Sequence, residues 1–381
     1  MSTQPKRTQE ELFFPLKAMP QGNHRKRPVL LLSSVKGGSG KTYSALSMAL
    51  GITRILNQKI KSEENNTSKV CVIDLDLSAT NMCALLETAN DDLASGYIQF
   101  EQKKSIHEYI LHAVNRSIDL SQYISKLTYT PLSEEPEQKY AVDLIVGSQN
   151  PQFSQLFSPT RISNYENGVL ESEARILLFR MFDAVVRRGY QAIIIDMQPG
   201  MEGLCHAAIE YWTSCRGNIY NKKGFFDKDI IKQFEQYELH LCLNSTGDRT
   251  QIISNMLWMM DQIEILHAIN NIHMIIKDNF NAYEFASPNE IEASLVSLIN
   301  VLTKSKYSYG ESKELISSVL VMRNNEKYRE FFGLNDPSSR SMVYLEDLFL
   351  KWIFASVKYK KSRRKKWIPE TESWIKQFLL L

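Results

Sequence analysis

The organising segment of this chain is the stretch Ser33-Ser34-Val35-Lys36-Gly37-Gly38-Ser39-Gly40-Lys41-Thr42. An apolar run, Val29 to Leu32, precedes it and has the composition of a buried parallel strand, whereas Tyr43 to Leu56 carries apolar residues at helical spacing. A glycine-rich turn between a strand and a helix can aim several backbone N–H groups at one anion, because glycine lets the chain wrap closely. The stretch therefore predicts a phosphate-binding loop.

Two side chains at the end of this loop extend the prediction. Lys41 is placed to reach the β- and γ-phosphates of a nucleotide, and the Thr42 hydroxyl is placed to ligate Mg²⁺. The general pattern G-x-x-x-x-G-K-[ST] has glycine where this chain has Val35, and a second lysine, Lys36, precedes the glycine pair. A turn that merely joins strand and helix is the alternative, and the flanking strand and helix argue against it.

The pattern K-G-G-x-G-K-T resembles the deviant Walker A loop of the MinD/ParA family of P-loop ATPases. The resemblance implies ATP and Mg²⁺ as cofactors. It also implies that Lys36 crosses the interface of an ATP-dependent homodimer and contacts the partner's phosphates, for which a solvated loop lysine is the alternative. The nucleotide-binding residues that it implies in this segment are Gly37, Gly38, Ser39, Gly40, Lys41, Thr42 and Tyr43.

A second motif follows the predicted strand Val70 to Leu75 and reads Ile73-Asp74-Leu75-Asp76-Leu77-Ser78-Ala79-Thr80-Asn81. It resembles the family's V-I-D-x-D-x-x-x-x-N stretch. By the resemblance, Asp76 orients the attacking water, Asp74 supports the Mg²⁺ shell, and Asn81 lies near the phosphates or the dimer partner. Aspartates that only cap the next helix are the alternative.

A third motif, Ala192-Ile193-Ile194-Ile195-Asp196-Met197-Gln198-Pro199-Gly200, is an apolar strand that ends in a carboxylate and is typical of a Walker B segment. The resemblance implies that Asp196 binds Mg²⁺ through water and that Gly200 faces the γ-phosphate. The family's proline has moved here to the position before Gly200, so the local turn is expected to differ. Further on, the resemblance makes Asn279 the candidate for contact with the adenine ring, for which an ordinary loop residue is the alternative.

The predicted fold is α/β, a doubly wound and mostly parallel sheet with helices on both faces, as in P-loop NTPases. Residues 1–27 are assigned to a flexible basic arm, 28–335 to the ATPase domain and 336–381 to a helical, basic C-terminal extension. Two segments, 86–139 and 212–232, are treated as insertions. Further strands are expected at Tyr140 to Val146, Glu238 to Leu243, His273 to Lys277 and Leu315 to Met322.

Composition excludes several classes of protein. The 381 residues carry a net charge of only +2, so attraction to nucleic acid or acidic lipid has to come from local clusters. The five cysteines form no C-x-x-C pair, which argues against an iron–sulfur or zinc-bridged relative and is typical of reduced thiols in a cytoplasmic protein. No run has the length of a membrane span, and the polar N-terminus is unlike a signal peptide.

The densest positive run is Lys358 to Lys366, with seven cations in nine residues, and an apolar tip follows it. Such a run can neutralise phosphates of non-specific DNA, which is the favoured partner. A membrane surface is a second, less favoured partner for the same segment. A solvated basic face with a docked terminal helix is the alternative that involves no partner. Nucleoid or membrane association of a cytoplasmic protein would follow from these contacts.

Together these motifs predict an ATP-dependent dimerising switch of the ParA/MinD type, which hydrolyses ATP weakly and cycles on and off a surface. No arginine finger is evident, so a protein adaptor is expected to stimulate hydrolysis. Two alternatives remain open: a membrane- or pole-associated MinD-like ATPase, and a nucleotide-binding scaffold with little or no hydrolysis.

Overall fold

A computed structural model of the chain describes residues 26–59, 69–77, 81–91, 98–113, 119–129, 140–150, 168–200, 204–214, 228–246, 251–252, 254–255, 258, 271–278 and 318–323. The basic run 358–366, the predicted C-terminal extension and Asn279 lie outside these residues.

The described strands form one sheet. They are β1 (Arg27–Ser33), β2 (Val70–Leu75), β3 (Ile98–Glu101), β4 (Ser125–Tyr129), β5 (Tyr140–Ile145), β6 (Ala192–Met197), β7 (Tyr237–Thr246), β8 (Asn271–Asp278) and β9 (Ser318–Arg323). Their order across the sheet is β3-β4-β5-β2-β6-β1-β7-β8-β9. All neighbours from β5 to β9 pair in parallel, whereas β3–β4 and β4–β5 are antiparallel.

Helices cover both faces of this sheet. They are α1 (Lys41–Lys59), α2 (Asn81–Asp91), α3 (Ile106–Ala113), α4 (Gly168–Arg187), α5 (Leu204–Ser214) and α6 (Lys228–Phe234), with a 3₁₀ turn at Leu120–Tyr123. Successive strand residues point to opposite faces, so β1 contributes to two separate cores. Val29 and Leu31 pack with the helices α3 to α6, and Leu30 and Leu32 pack with α1 and α2. The predicted doubly wound α/β architecture is therefore confirmed.

The carboxyl ends of the three central strands form the edge that matters for function. β6 lies between β1 and β2, with Leu32 opposite Asp196 and Asp74 opposite Asp196 in the strand registers. Ligands of open α/β sheets bind at this edge, where the strand order reverses. The fold thus brings the ends of all three sequence motifs side by side.

Two expectations about the segments between motifs are corrected. Part of 86–139 belongs to the sheet, because β3 and β4 add an antiparallel edge in which Leu127 is fully buried. The segment 212–232 is not wholly an insertion, since Trp212 is buried within α5 and α6 begins at Lys228. Arg27, assigned to the flexible arm, is the first residue of β1 and donates from Nη1 to the Gly189 carbonyl at 3.0 Å.

Candidate nucleotide-binding site

The loop between β1 and α1 wraps the space beyond the end of β1. Gly38 and Gly40 have φ angles of +76° and +79°, a region that side-chain-bearing residues rarely adopt. Lys36, Gly37 and Gly38 are exposed, whereas Ser39 is buried and its hydroxyl has no hydrogen-bond partner among the described residues. A curved backbone with an unpartnered buried hydroxyl is the arrangement expected of an anion cradle.

Lys41, the first residue of α1, turns its ammonium group into the loop. Its side chain is buried, and Nζ donates to Ser34 Oγ at 3.0 Å. Ser34 Oγ in turn donates to the Lys36 carbonyl at 2.7 Å, so one serine links the two lysine positions. The buried cation and the N-terminus of α1 both favour a negatively charged ligand here.

Asp196 ends β6 directly beside this loop. The residue is fully buried, and neither carboxylate oxygen has a hydrogen-bond partner in the described part of the chain. Burial raises the pKa of Asp196, while the nearby Lys41 ammonium and Thr42 hydroxyl act in the opposite direction. The Lys41 ammonium and the Thr42 hydroxyl are thus close enough to act on Asp196, yet neither meets the geometry of a hydrogen bond to it. A buried carboxylate that accepts no hydrogen bond is costly in a folded protein, which suggests a ligand that completes the site.

Asp74 and Asp76 lie at the end of the neighbouring strand, β2. The Asp76 backbone N–H donates to Asp74 Oδ1 at 3.0 Å, and Asp74 Oδ2 has no partner among the described residues. Burial raises the pKa of Asp74, and the charges of Asp196 and Asp76 raise it further. The site therefore concentrates three carboxylates around the single buried ammonium group of Lys41 that the described residues place there.

This donor set fits Mg²⁺ bound together with a nucleotide. No group of three or more histidine, cysteine or acidic side chains in the described ranges is arranged as a complete protein cage for a metal. Mg²⁺ rarely uses such a cage, because it is commonly held by one or two carboxylates together with water and substrate phosphates. Asp196, Asp74 and the partly buried Thr42 could supply the protein's share of its ligands.

Gly200 does not stand free at the edge of the site. Its backbone N–H donates to the Ser34 carbonyl at 3.0 Å, and its φ angle of +95° requires glycine. The shifted Pro199 lies under the loop, with Cγ 3.8 Å from the position that a Cβ on Gly37 would occupy. The turn after β6 thus supports the phosphate loop from below, and the expected contact of Gly200 with a γ-phosphate stays a prediction.

A hydrogen-bond network that the sequence did not reveal holds the other side of the loop. The Val35 N–H donates to Asn255 Oδ1 at 2.8 Å, and Asn255 Nδ2 donates to the Asn244 carbonyl at 3.0 Å. Asn244 Nδ2 then donates to Ser44 Oγ at 3.1 Å, which returns to α1. Asn255 is fully buried, so these bonds are shielded from water. At Val35, where the general pattern has glycine, the backbone is therefore fixed by a buried amide.

The remaining predicted site residues are placed only in part. Tyr43 lies in the first turn of α1, and Asn81 is the first residue of α2, which follows the β2 motif. Asn279 lies beyond the end of β8 and outside the described residues. The described helices include none that is long and apolar enough to span a membrane. Among the described residues, Cys71, Cys83, Cys205 and Cys242 are buried and form no disulfide.

The sequence matches no protein-family model and no curated protein. Among solved structures it is similar to the septum site-determining protein MinD with Mg-ADP from Pyrococcus horikoshii, at 13% identity, 88% of this chain, 99% of that chain and a TM-score of 0.44. It is also similar to a ParA family ATPase from Chlorobium tepidum, at 14% identity over 86% of this chain and 99% of that chain, with a TM-score of 0.44. For the MinC:MinD cell division complex of Aquifex aeolicus the identity is 11% over 89% of this chain and 99% of that chain, with a TM-score of 0.45.

The fold and the motifs of this chain support one classification. A glycine-rich loop joins the central strand β1 to α1, and acidic residues end the adjacent strands β2 and β6 beside it. These are the defining parts of a phosphate-binding strand–loop–helix unit. The chain therefore has the fold of a P-loop NTPase.

Proposed function

We propose that the protein is a Mg²⁺- and ATP-dependent molecular switch of the ParA/MinD type. The observation that carries the proposal is the convergence of Lys41, Asp74 and Asp196 on the glycine loop, where Asp74 Oδ2 and both carboxylate oxygens of Asp196 are buried without a hydrogen-bond partner among the described residues. A purely structural loop would gain nothing from this arrangement, because unpaired buried charges are destabilising.

Each residue has a separate task in this proposal. Lys41 neutralises phosphate charge, Thr42 and Asp196 hold Mg²⁺, and Asp74 supports the shell of ligands around the metal. Asp76 orients the water that attacks. Bound Mg²⁺-ATP supplies the phosphoryl group that is cleaved to give ADP and phosphate. The protein's contribution is to position charge and water, which is the main requirement of phosphoryl transfer.

Lys36 supports the proposal that the ATP state is a homodimer. It lies in the same loop as Lys41, yet Lys36 is exposed and Lys41 is buried. The two lysines are therefore suited to different partners, one to the nucleotide of its own chain and the other to a second subunit. The dimer would form with ATP and separate after hydrolysis, since only the γ-phosphate distinguishes the two states.

The surface on which the switch acts is proposed to be non-specific DNA, contacted through Lys358–Lys366. The seven cations of this run would release counterions from DNA, so binding should weaken steeply as salt rises. A protein adaptor would accelerate the slow intrinsic hydrolysis. The proposal places the protein in the cytoplasm, on the nucleoid in its ATP state.

The first experiment is binding to non-specific duplex DNA with ATP and with ADP, at low and moderate salt. We expect ATP-dependent binding that weakens with salt and disappears when Arg363, Arg364, Lys365 and Lys366 are replaced by alanine. The control, matched in charge, replaces four exposed lysines elsewhere in the described chain, which are Lys26, Lys103, Lys104 and Lys232. An equal loss of DNA affinity in both variants would show that binding depends on the total positive charge and not on this run, which would refute its role. No DNA binding with either ATP or ADP would refute the DNA proposal. Binding to acidic liposomes would then favour the membrane- or pole-associated alternative.

One observation favours the scaffold alternative. The Gly200 N–H already donates to the Ser34 carbonyl, so a contact with γ-phosphate would require that bond to break. Asp76→Ala separates the two functions, because it should abolish turnover and prolong the ATP dimer only in a hydrolysing switch. Lys41→Ala should lose nucleotide binding in either case. Unchanged turnover and dimer lifetime in Asp76→Ala would contradict the switch.

A further inference from the structure

A buried histidine outside the three motifs connects two strand ends at the site. His107 is fully buried in the first turn of α3. Its Nδ1 accepts a hydrogen bond from the Ser148 backbone N–H at 2.9 Å, and its Nε2 lies 2.9 Å from the Leu77 carbonyl. Ser148 follows β5 and Leu77 follows β2, so one imidazole ring joins the exits of two neighbouring strands.

The two contacts define the form of the ring. Because a backbone N–H can only donate, Nδ1 must be unprotonated, and Nε2 must carry the hydrogen that it donates to the Leu77 carbonyl. The imidazole is therefore the neutral Nε2–H tautomer. Burial lowers the pKa of His107, which is consistent with a neutral ring.

The helix that carries His107 is anchored independently. Ser105 and Glu108 form a capping box, in which the Ser105 N–H donates to Glu108 Oε2 at 2.7 Å and the Glu108 N–H donates to Ser105 Oγ at 3.3 Å. The Ile106 N–H also donates to the Val146 carbonyl at 2.9 Å, next to the end of β5. His107 is consequently presented from a fixed base rather than from a loop.

Asp76 lies directly before the carbonyl that His107 holds. Its own N–H donates to Asp74 Oδ1 at 3.0 Å, and the next residue, Leu77, is bound by the imidazole. The backbone that bears Asp76 is thus fixed on both sides. Orientation matters here, since small displacements of a group that positions a reactant cost large factors in rate.

We propose that His107 is a positioning residue for the hydrolytic step, holding the Leu77 carbonyl so that Asp76 keeps its place at the nucleotide site. This inference rests on the proposed function, in which Asp76 orients the attacking water. It assigns a role in hydrolysis to a residue that lies outside the three sequence motifs. The bond from Nε2 to the Leu77 carbonyl is the functional one, and the bond at Nδ1 sets the tautomer.

Two substitutions separate the bonds. His107→Gln places an amide N–H where Nε2 stands and can still donate to the Leu77 carbonyl, whereas His107→Asn reaches only the position of Nδ1. We expect His107→Asn to lower kcat for ATP hydrolysis about tenfold, the equivalent of one lost buried hydrogen bond. The KM and the affinity for ADP should stay within about twofold of wild type, because the loop itself is untouched. His107→Gln should keep kcat within about threefold.

The outcomes identify which proposal fails. Asp76→Ala is measured in parallel; if it leaves turnover unchanged, the proposed function is refuted and the role of His107 with it. If Asp76→Ala lowers turnover but His107→Asn does not, only the role of His107 is refuted. Equal losses in His107→Asn and His107→Gln would also refute it, since the retained Leu77 bond would then have no effect.

The wild-type protein provides a direct test of the tautomer, in which a variant serves only to assign the signal. Spectra of protein labelled with ¹⁵N-histidine should show, among the seven histidines, a ring in the neutral Nε2–H tautomer at pH 7 whose signal is absent from His107→Gln. A ring assigned to His107 that is protonated at Nδ1 would overturn the geometry on which the inference rests.

Discussion

Replacing Asp74 with asparagine should make the nucleotide-free protein more stable while it weakens the site. Asp74 and Asp196 are register partners on adjacent parallel strands, and both are buried. Neighbouring strands lie about 5 Å apart, and two like charges at about 5 Å repel by about 3 kcal/mol at an effective dielectric constant of about 20. Part of this repulsion is relieved by proton uptake, so we expect a gain of about 2 kcal/mol in the free energy of unfolding at pH 7.5.

The substitution should cost little in local structure. An asparagine oxygen can still accept the Asp76 N–H that now donates to Asp74 Oδ1 at 3.0 Å. The new amide N–H₂ replaces Oδ2, an atom without a partner among the described residues, and can donate to Asp196. The net change is therefore the removal of one buried charge from a group of three carboxylates.

The pH dependence provides a second test of the predicted gain in the free energy of unfolding. The pKa of Asp74 is raised in the folded state by burial and by Asp196 and Asp76, so the unfolded chain releases its proton first as pH rises. Wild type therefore loses stability relative to Asp74→Asn above the unfolded pKa of about 4, and the difference should shrink toward pH 4.

The difference in the free energy of unfolding between wild type and Asp74→Asn is measured at pH 7.5 and pH 4.5 by urea titration, with EDTA and without nucleotide. Circular dichroism monitors the unfolding. The matched control is Asp143→Asn on β5, where the Tyr190 hydroxyl donates to Asp143 Oδ2 at 2.7 Å and an asparagine oxygen can still accept; we expect no gain there. An Asp74→Asn protein that is no more stable than wild type at pH 7.5 would refute the electrostatic reasoning. A gain of the same size at both pH values would refute it as well.

Three further predictions test other parts of the structure. Asn255→Ala removes the acceptor of the Val35 N–H and the donor to the Asn244 carbonyl. It should lower the free energy of unfolding by about 2–4 kcal/mol in urea titrations and weaken ADP binding in calorimetry. A variant with wild-type stability and normal ADP affinity would contradict the role of this network. Burial lowers the pKa of His273 to about 3, so below about pH 6.5 the unfolded state binds a proton that the folded state does not. The free energy of unfolding of wild type should therefore fall by up to about 1.4 kcal/mol per pH unit relative to His273→Asn. Parallel curves of unfolding free energy against pH for the two proteins would exclude this. Gly40→Ala forces a side chain onto a φ of +79° in the phosphate loop and should abolish ATP binding in equilibrium dialysis, whereas Gly189→Ala, at a comparable φ of +69° in the turn before β6, should retain it.

Much of the fold could be predicted because its signals are local. The strands β1, β2 and β6 are continuous apolar runs, and each ends in a polar motif that marks the carboxyl edge of the sheet. The antiparallel strands β3 and β4 were missed since they span only 4 and 5 residues and lack such a run. The burial of Trp212 was missed for a related reason: it packs on Phe234 and Phe182, which are distant in sequence.

The phosphate loop, its two lysines and the acidic residues that end β2 and β6 can be predicted from sequence, because each is a contiguous pattern with its own chemistry. Their surroundings follow only from the folded chain: Asn255 accepts from the Val35 N–H, the Gly200 N–H donates to the Ser34 carbonyl, and His107 bridges Leu77 and Ser148. These contacts join segments that are far apart along the chain. They exist because the strand order places the ends of β1, β2, β5, β6 and β7 along one edge of the sheet, and no local pattern encodes that order.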